Sequence, residues 1–364
     1  MKKIIIFSAV ICAMSGAQAS SLDNIKISGF GSVAVGKSSN DIVYAGYDSE
    51  RWNVSQDTLA GIQLDAKIND KTKFVTQVVA NGRYDYELAV EMAYVSYETN
   101  LFTVRAGKLR TPFFMYSDYL DVGYAYPMLR PSQELYENLI VSSYMGMDLL
   151  IPIEFEDSSL VLQPIVGIGE VNERDSRYGQ ATLDQLFGLS AHWYVEDFTF
   201  RASYVAAQTD YSAPNDYSAA EQYIYNALLD DKKGTFTSVG AQYDNGDLLV
   251  SLEAAEVTLE DDYYDTLAIS GLLGYRFGSL MPYVMANMVK TTDDDERSAA
   301  YESFSFKRAA YSLGARWDFA RNIALKLDLT YADFMDTNGG FINSNADESE
   351  DNTLVYSVAV DFIF

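Results

Sequence analysis

Apolar side chains recur at every second position in segments spread along the whole chain. Ile62, Leu64, Ala66 and Ile68 alternate with Gln63, Asp65 and Lys67, and Leu88, Val90, Met92 and Tyr94 alternate with Glu87, Ala89, Glu91 and Ala93. The pattern returns in Phe198, Phe200, Ala202 and Tyr204, in Leu248, Val250, Leu252 and Ala254, and in Leu354, Tyr356, Val358, Val360, Phe362 and Phe364. A period of two puts the apolar groups on one face of a β-strand. After the first residues no run of 18 apolar side chains occurs, so a helical membrane protein is excluded. The 28 tyrosines and 19 phenylalanines against 7 prolines agree with strands.

Two kinds of connection take turns between these segments. Seven are tight and rich in Asn, Asp, Gly and Ser: 69–71, 99–100, 157–159, 196–197, 244–247, 278–279 and 319–322. Eight are longer and polar, near 36–51, 81–86, 111–143, 170–185, 209–234, 258–264, 290–303 and 333–352. Together they join sixteen antiparallel strands with both chain ends on the short-turn side. Short turns on one side and long loops on the other are the asymmetry of an all-β transmembrane barrel of the bacterial outer membrane. A water-soluble β-sandwich shares the alternation, but a chain of this length would need several such domains, and no linker divides it. Closure also removes every strand edge and leaves a wet lumen for the polar faces.

Met1 to Ala19 reads as a cleaved export signal: Lys2 and Lys3, the apolar stretch Ile4 to Met14, and a small-residue end at Ala17-Gln18-Ala19. Residues 20–364 then form one barrel. Cys12, the single cysteine, lies inside the signal, so neither disulfides nor thiolate metal sites are available afterwards. The whole chain carries 52 acidic and 26 basic side chains, a net charge of −26 that argues against nucleic acid as a partner.

In lipid each backbone polar group must be paired within the protein, so the sheet has to close with its apolar face outward. Phe74, Tyr94, Phe102, Tyr275, Phe277 and Trp317, near strand ends, are expected in the interfacial girdles. The opposite parity points Arg105, Arg201, Arg276, Arg316, Lys326, Glu87, Glu91, Glu253 and Asp328 into the lumen. A charge facing lipid at mid-bilayer would cost about 2–4 kcal/mol, which favours that assignment.

The third loop, 111–143, is the longest and the least loop-like, with Phe113, Phe114, Tyr116, Tyr119, Tyr124, Tyr126 and Tyr136. Folding into the lumen would cover these rings and narrow the channel; folding outward as a lid or subunit contact is the alternative. Turned inward, Asp118, Asp121, Glu134 and Glu137 would lie opposite the wall arginines and set up a transverse field at the constriction. Candidate constriction and lumen residues are Arg105, Arg110, Asp118, Asp121, Arg130, Glu134, Arg201, Arg276 and Arg316.

The stretch RAGKLRTPFFMYSDYLDVGYAYPMLRPSQELYENL resembles the strand and constriction loop of Gram-negative outer-membrane porins. The start LDNIKISGFGSVAVG and the end TLVYSVAVDFIF resemble porin termini. The resemblance implies a sixteen-stranded porin, commonly a homotrimer, set in a lipid bilayer with lipopolysaccharide. It would pass small hydrophilic solutes and ions, with Phe364 read by the barrel-assembly machinery. The acidic PEFGGD-type loop motif of enterobacterial general porins is not found, so the candidate residues rest on parity and loop position.

Asp293, Asp294 and Asp295, with Asp347 and Glu348, make the outer loops acidic, which predicts a weak preference for cations. Neither run has the spacing of a calcium loop, and no metal or cofactor is expected. His192, the single histidine, is read as a wall residue because no nucleophile motif accompanies it, so no enzyme is expected. An adhesin or receptor barrel with a plugged lumen is the competing function.

Overall fold

Sixteen strands, each antiparallel to its neighbours, close on themselves in the computed structural model. They are β1 (Ile25–Ser38), β2 (Leu59–Lys67), β3 (Thr72–Asn81), β4 (Leu88–Glu98), β5 (Thr103–Arg110), β6 (Ser143–Glu154), β7 (Ser158–Glu170), β8 (Gln180–Val195), β9 (Phe198–Ser212), β10 (Lys232–Asp244), β11 (Leu248–Leu259), β12 (Thr266–Tyr275), β13 (Leu280–Thr291), β14 (Lys307–Ala320), β15 (Ile323–Phe334) and β16 (Asn352–Ile363). The structure describes residues 24–137, 141–170, 180–212, 230–261, 263–293, 305–335 and 351–364; the export signal lies outside them.

Each strand pairs with its sequence neighbour, and β1 pairs with β16 from Phe30↔Ile363 to Ser38↔Val355. Beyond the ladder, Gly29 and Phe364 exchange two backbone hydrogen bonds of 2.9 Å. The Phe364 ring covers Gly29 so closely that a Cβ there would come within 2.2 Å of it. Seven short connections alternate with eight long ones, as the turn residues predict. Local chemistry sets the turns: the Asn69 side chain accepts from the backbone N–H groups of Lys71 and Thr72, and that of Asn245 from Asp247 and Leu248. Asn322 and Glu196, each in a two-residue connection, take up left-handed backbone, φ 63° and 50°.

Alternation sorts the faces. Ile62, Val239, Leu252, Leu313 and Leu327 are exposed outward, whereas Ser251, Glu253, Asp328 and Lys326 are buried inside. Tyr275, Phe277 and Trp317 lie exposed at the turn ends, with Trp193, Phe198 and Phe319 nearby. Tyr94 does not join them. The β3–β4 register slips between Gln77 and Val78, where Gln77 faces Met92 and Val78 faces Val90, so Glu91 is the extra residue of a bulge. The face that carries Leu88 and Val90 therefore passes to Val95 and Tyr97, and Tyr94 turns inward beneath the Arg105 guanidinium, 5.4 Å from its ring.

Among the described residues, two long loops fold into the cylinder. In the first, L1 (residues 39–58), Ile42, Tyr44 and Tyr47 pack on Ala310, Ala332, Phe334 and Val355 of the inner wall. The other is the third, L3.

Candidate functional site

L3 (residues 111–142) leaves β5 after Arg110 and crosses the lumen through two 3-10 turns, Ser117–Tyr119 and Gly123–Ala125, and one helical turn, Gln133–Tyr136. Ser132 caps that last turn, its hydroxyl accepting from the Leu135 N–H at 3.2 Å. L3 buries its rings because the wall behind it is apolar where alternation alone predicts polar groups. Met115, Tyr116, Tyr126 and Met128 pack on Leu249, Leu272, Met281 and Met285, all inward members of β11 to β13. Phe113 and Phe114 pack on Phe236 with centroids 4.9 and 5.3 Å apart.

An irregular segment inside a barrel must also satisfy its backbone, and wall side chains do so. Ser190 and Ser203 donate to the Pro112 carbonyl at 3.0 and 2.9 Å, Ser238 to that of Phe113 at 2.6 Å, and Arg201 to that of Phe114. Glu253 accepts from the Met115 N–H at 2.8 Å and from the Tyr136 hydroxyl at 3.2 Å. Tyr283 accepts from the Leu129 N–H and donates to Asp328. Arg316 donates to the carbonyls of Tyr124 and Tyr126 at 2.7 and 3.1 Å, and Lys326 to those of Gly123 and Met128 at 2.6 and 2.8 Å. These anchors come from β8 to β15, half the circumference.

The loop acids do not stand apart from arginines across a gap, as a transverse field would need; they touch them. Asp118 lies 3.6 Å from Arg201, and Asp121 pairs with Arg110, which also approaches Glu91 at 3.6 Å. Glu134 meets Arg308 at 2.8 Å and accepts from the Tyr44 hydroxyl of L1; Glu137 meets Arg83 at 3.1 Å. Arg130, within L3, pairs with Asp57 at 2.8 Å and donates to Ser357 on β16 at 2.7 Å. Of the four acids Asp118 is the most exposed, with 39% of its side-chain surface open against 17% for Asp121, 0% for Glu134 and 18% for Glu137.

Burial pushes the Asp118 pKa up, but the attraction of Arg201, with lesser help from Arg105 and Arg110, outweighs it and holds the carboxyl below its ordinary value. Glu137 goes the other way. Desolvation raises it, Glu134 adds to the rise, and Arg83 and Arg308 only partly oppose it.

Arg105 points inward but binds the wall, forming two hydrogen bonds of 2.8 and 2.5 Å to Asp148 on β6. Arg276 is a correction. It lies in the turn after β12 and pairs with Asp244 at 2.6 Å and the Gly246 carbonyl, at the turn end of the barrel and away from L3. Parity counted one residue past a strand's end no longer fixes a side. His192 is on β8 opposite Arg201, its Nδ1 3.4 Å from the Tyr194 hydroxyl. Asp293 follows β13 into the seventh long loop, whereas Asp294, Asp295, Asp347 and Glu348 lie outside the described residues. The candidate set omitted Arg83, Arg308, Asp148 and Asp361; the last three are charged residues within strands, so inward parity could have found them.

A family model for Gram-negative porins matches residues 8–362. A search of curated protein sequences finds no match. Among solved structures, OmpT of Vibrio cholerae is 14% identical with a TM-score of 0.60, covering 95% of this chain and 100% of that one. An anion-selective porin from Comamonas acidovorans is 13% identical with a TM-score of 0.60, at 93% and 99% coverage. Salmonella typhi OmpF is 16% identical with a TM-score of 0.56, at 93% and 98%. At such identities the structural likeness shows a common fold, and the family rests on the sequence match across nearly the full length. The chain belongs to the Gram-negative porin family and is a channel barrel of the bacterial outer membrane.

Proposed function

We propose that the chain passes small hydrophilic solutes and ions by passive diffusion through the space that L3 leaves in the lumen, with a weak preference for cations. The observation that carries this reading is L3 itself: a segment fixed to the wall by side-chain hydrogen bonds narrows a closed barrel at one level and holds that width. Asp118, the most open of its four acids and kept ionised by its surroundings, supplies the negative charge there. The preference is weak because each loop acid has an arginine at contact distance, which leaves little uncompensated field. Arg105, Arg110, Arg130, Arg201 and Arg316 fix the geometry of the narrow region; the acidic outer loops raise the concentration of cations at the mouth.

A homotrimer in a bilayer with lipopolysaccharide belongs to the same reading, with Phe364 as the signal to the assembly machinery. The Vibrio cholerae protein has a trimer form, which supports it. Planar-bilayer recording tests the proposal. Open steps in potassium chloride and a small reversal potential of cation-selective sign in a salt gradient are expected. Strong anion selectivity would overturn the preference, and a silent bilayer would favour the plugged adhesin or receptor.

A further inference from the structure

L1 does not run from β1 to β2 by the short way. Its tip turns back over β16, β15 and β14 into a recess where the inner wall carries small residues, Ala310 and Ala332, and where a Cβ on Gly36 of β1 would come within 2.5 Å of the Tyr47 ring. The tip is a miniature hairpin. Tyr44 and Tyr47 exchange backbone hydrogen bonds of 3.1 and 3.0 Å, and between them Ala45 and Gly46 both take positive φ, 53° and 73°. An alanine rarely adopts such backbone and is held in it by what surrounds it. Residues directly opposite in a hairpin share a face, so the two tyrosines leave the tip side by side.

Both are buried, and each ends in the same grouping. The Tyr44 hydroxyl donates to Glu134 at 3.1 Å, on the oxygen that Arg308 reaches at 2.8 Å, and the Arg308 guanidinium lies 5.7 Å from the Tyr44 ring. The Tyr47 hydroxyl donates to Asp57 at 2.8 Å, on the oxygen that Arg130 reaches at 2.9 Å, and the Arg130 guanidinium lies 5.2 Å from the Tyr47 ring. Twice, then, an L1 tyrosine completes a carboxylate–arginine pair with its hydroxyl and meets the arginine with its ring. One member of each pair belongs to L3: Glu134 in the first, Arg130 in the second. The Glu134 side chain has no exposed surface, and a buried carboxylate depends on every donor it has. Without Asp57, Arg130 would keep Ser357 and, 3.8 Å away, Asp328 as its polar partners.

We infer that L1 is a second determinant of channel width, with Tyr44 and Tyr47 as positioning residues that hold the L3 arm from Arg130 to Glu137 through these two pairs. The inference rests on the channel reading above and deepens it: the constriction is set by two loops clasped to each other, not by L3 and the wall alone. L1 also borders the passage directly, since Gly46, Gln56 and Asp57 line the same cavity of about 1070 Å³ as Arg130, Gln133 and Glu137.

The test combines hydrogen exchange of the full-length protein in detergent with planar-bilayer recording. Tyr44→Phe with Tyr47→Phe removes two hydroxyls and leaves both rings in the recess; Asp57→Asn reaches the same arm from the other limb of L1. Each should speed exchange of the Leu135, Tyr136 and Glu137 amides, which close the helical turn of L3, while amides in the β14–β15 ladder keep the parent's rates. The acceleration should be at least about tenfold, as the loss of a buried hydrogen bond to a charged group implies. Open-channel noise should rise, and larger polyethylene glycols should enter the pore and lower its conductance. Asp57→Asn should add nothing to the noise of Arg130→Gln, because the two side chains act as one pair. Uniform acceleration across the barrel would make the tyrosines merely structural and overturn the inference, as would unchanged exchange in the arm, or faster exchange with noise and polymer cut-off unaltered. A parent that stays silent in the bilayer would overturn the channel reading instead; acceleration confined to the arm then upholds the positioning of L3 by L1, and its absence ends it.

Discussion

The Lys326 ammonium lies 2.8 Å from the Asp361 carboxylate, with side-chain exposures of 0% and 2%, and turns its N–H groups to the Gly123 and Met128 carbonyls of L3. Ser32 on β1 donates to the same carboxylate at 2.5 Å. One cation thus joins β15, β16 and the loop, and through Asp361 it reaches the β1–β16 seam.

Lys326→Met should leave Asp361 buried without its counter-charge and two L3 carbonyls without donors. A cost of about 3–5 kcal/mol is expected for breaking such a pair, and adding Asp361→Asn should recover part of it. Urea unfolding in detergent measures both. Single-channel traces should become noisier as the Gly123 to Met128 segment loosens; an unchanged midpoint with unchanged noise would contradict the anchoring role.

Asp118→Asn should shift the reversal potential toward anions, because it removes the most exposed loop acid and leaves Arg201 with less compensation. Asp118 is held below the ordinary carboxylate pKa of about 3.9, so in the parent its contribution should persist through mild acid and fade only as pH falls through that lowered value. A selectivity that already collapses near pH 5 would place the controlling charge elsewhere.

Glu137 has the opposite sign. Its folded-state pKa is raised, so ionised Glu137 is a cost to the folded barrel above that pKa, relieved as pH falls toward the unfolded value of about 4.3. Glu137→Gln should flatten the pH dependence of stability in that window. Unfolding midpoints of parent and variant, compared at neutral and mildly acid pH, check it: the gap between them should change as the parent takes up its proton.

Gly29→Val should push the Phe364 ring off the strand it covers, since even a Cβ has no room there. A loss of about 1 kcal/mol is expected, read as a lower urea midpoint and a smaller refolded fraction. Gly246→Ala is a comparison of another kind: nothing lies near that position, but its φ of 94° strains a side chain, so a cost there reports backbone alone.

The strands and their connections were legible because each obeys a local rule, period two in the wall and Asn, Asp or Gly in the turns. Tyr94 shows where local reading stops. Nothing within Leu88 to Tyr97 announces that Glu91 is an extra residue; the bulge exists only relative to β3, and one residue exchanges the two faces beyond it. The lumen was harder for a related reason. Parity puts Lys326 and Arg201 inside, yet which L3 carbonyl each one reaches depends on the path of a 32-residue segment across the barrel. The apolar inner wall of Leu249, Leu272, Met281 and Met285 went unread because alternation assigns it to water, and only the docked loop explains it.

Every cation that holds the stretch Tyr124 to Glu134 from the wall, Arg308, Arg316 and Lys326, comes from β14 and β15. During synthesis the threshold of the pore is therefore made long before its fastenings are. A chain halted after β13 would own the obstruction without any of these clasps, so resistance of L3 to protease should arrive together with the final hairpins and mark the moment a finished cylinder departs from an unfinished one.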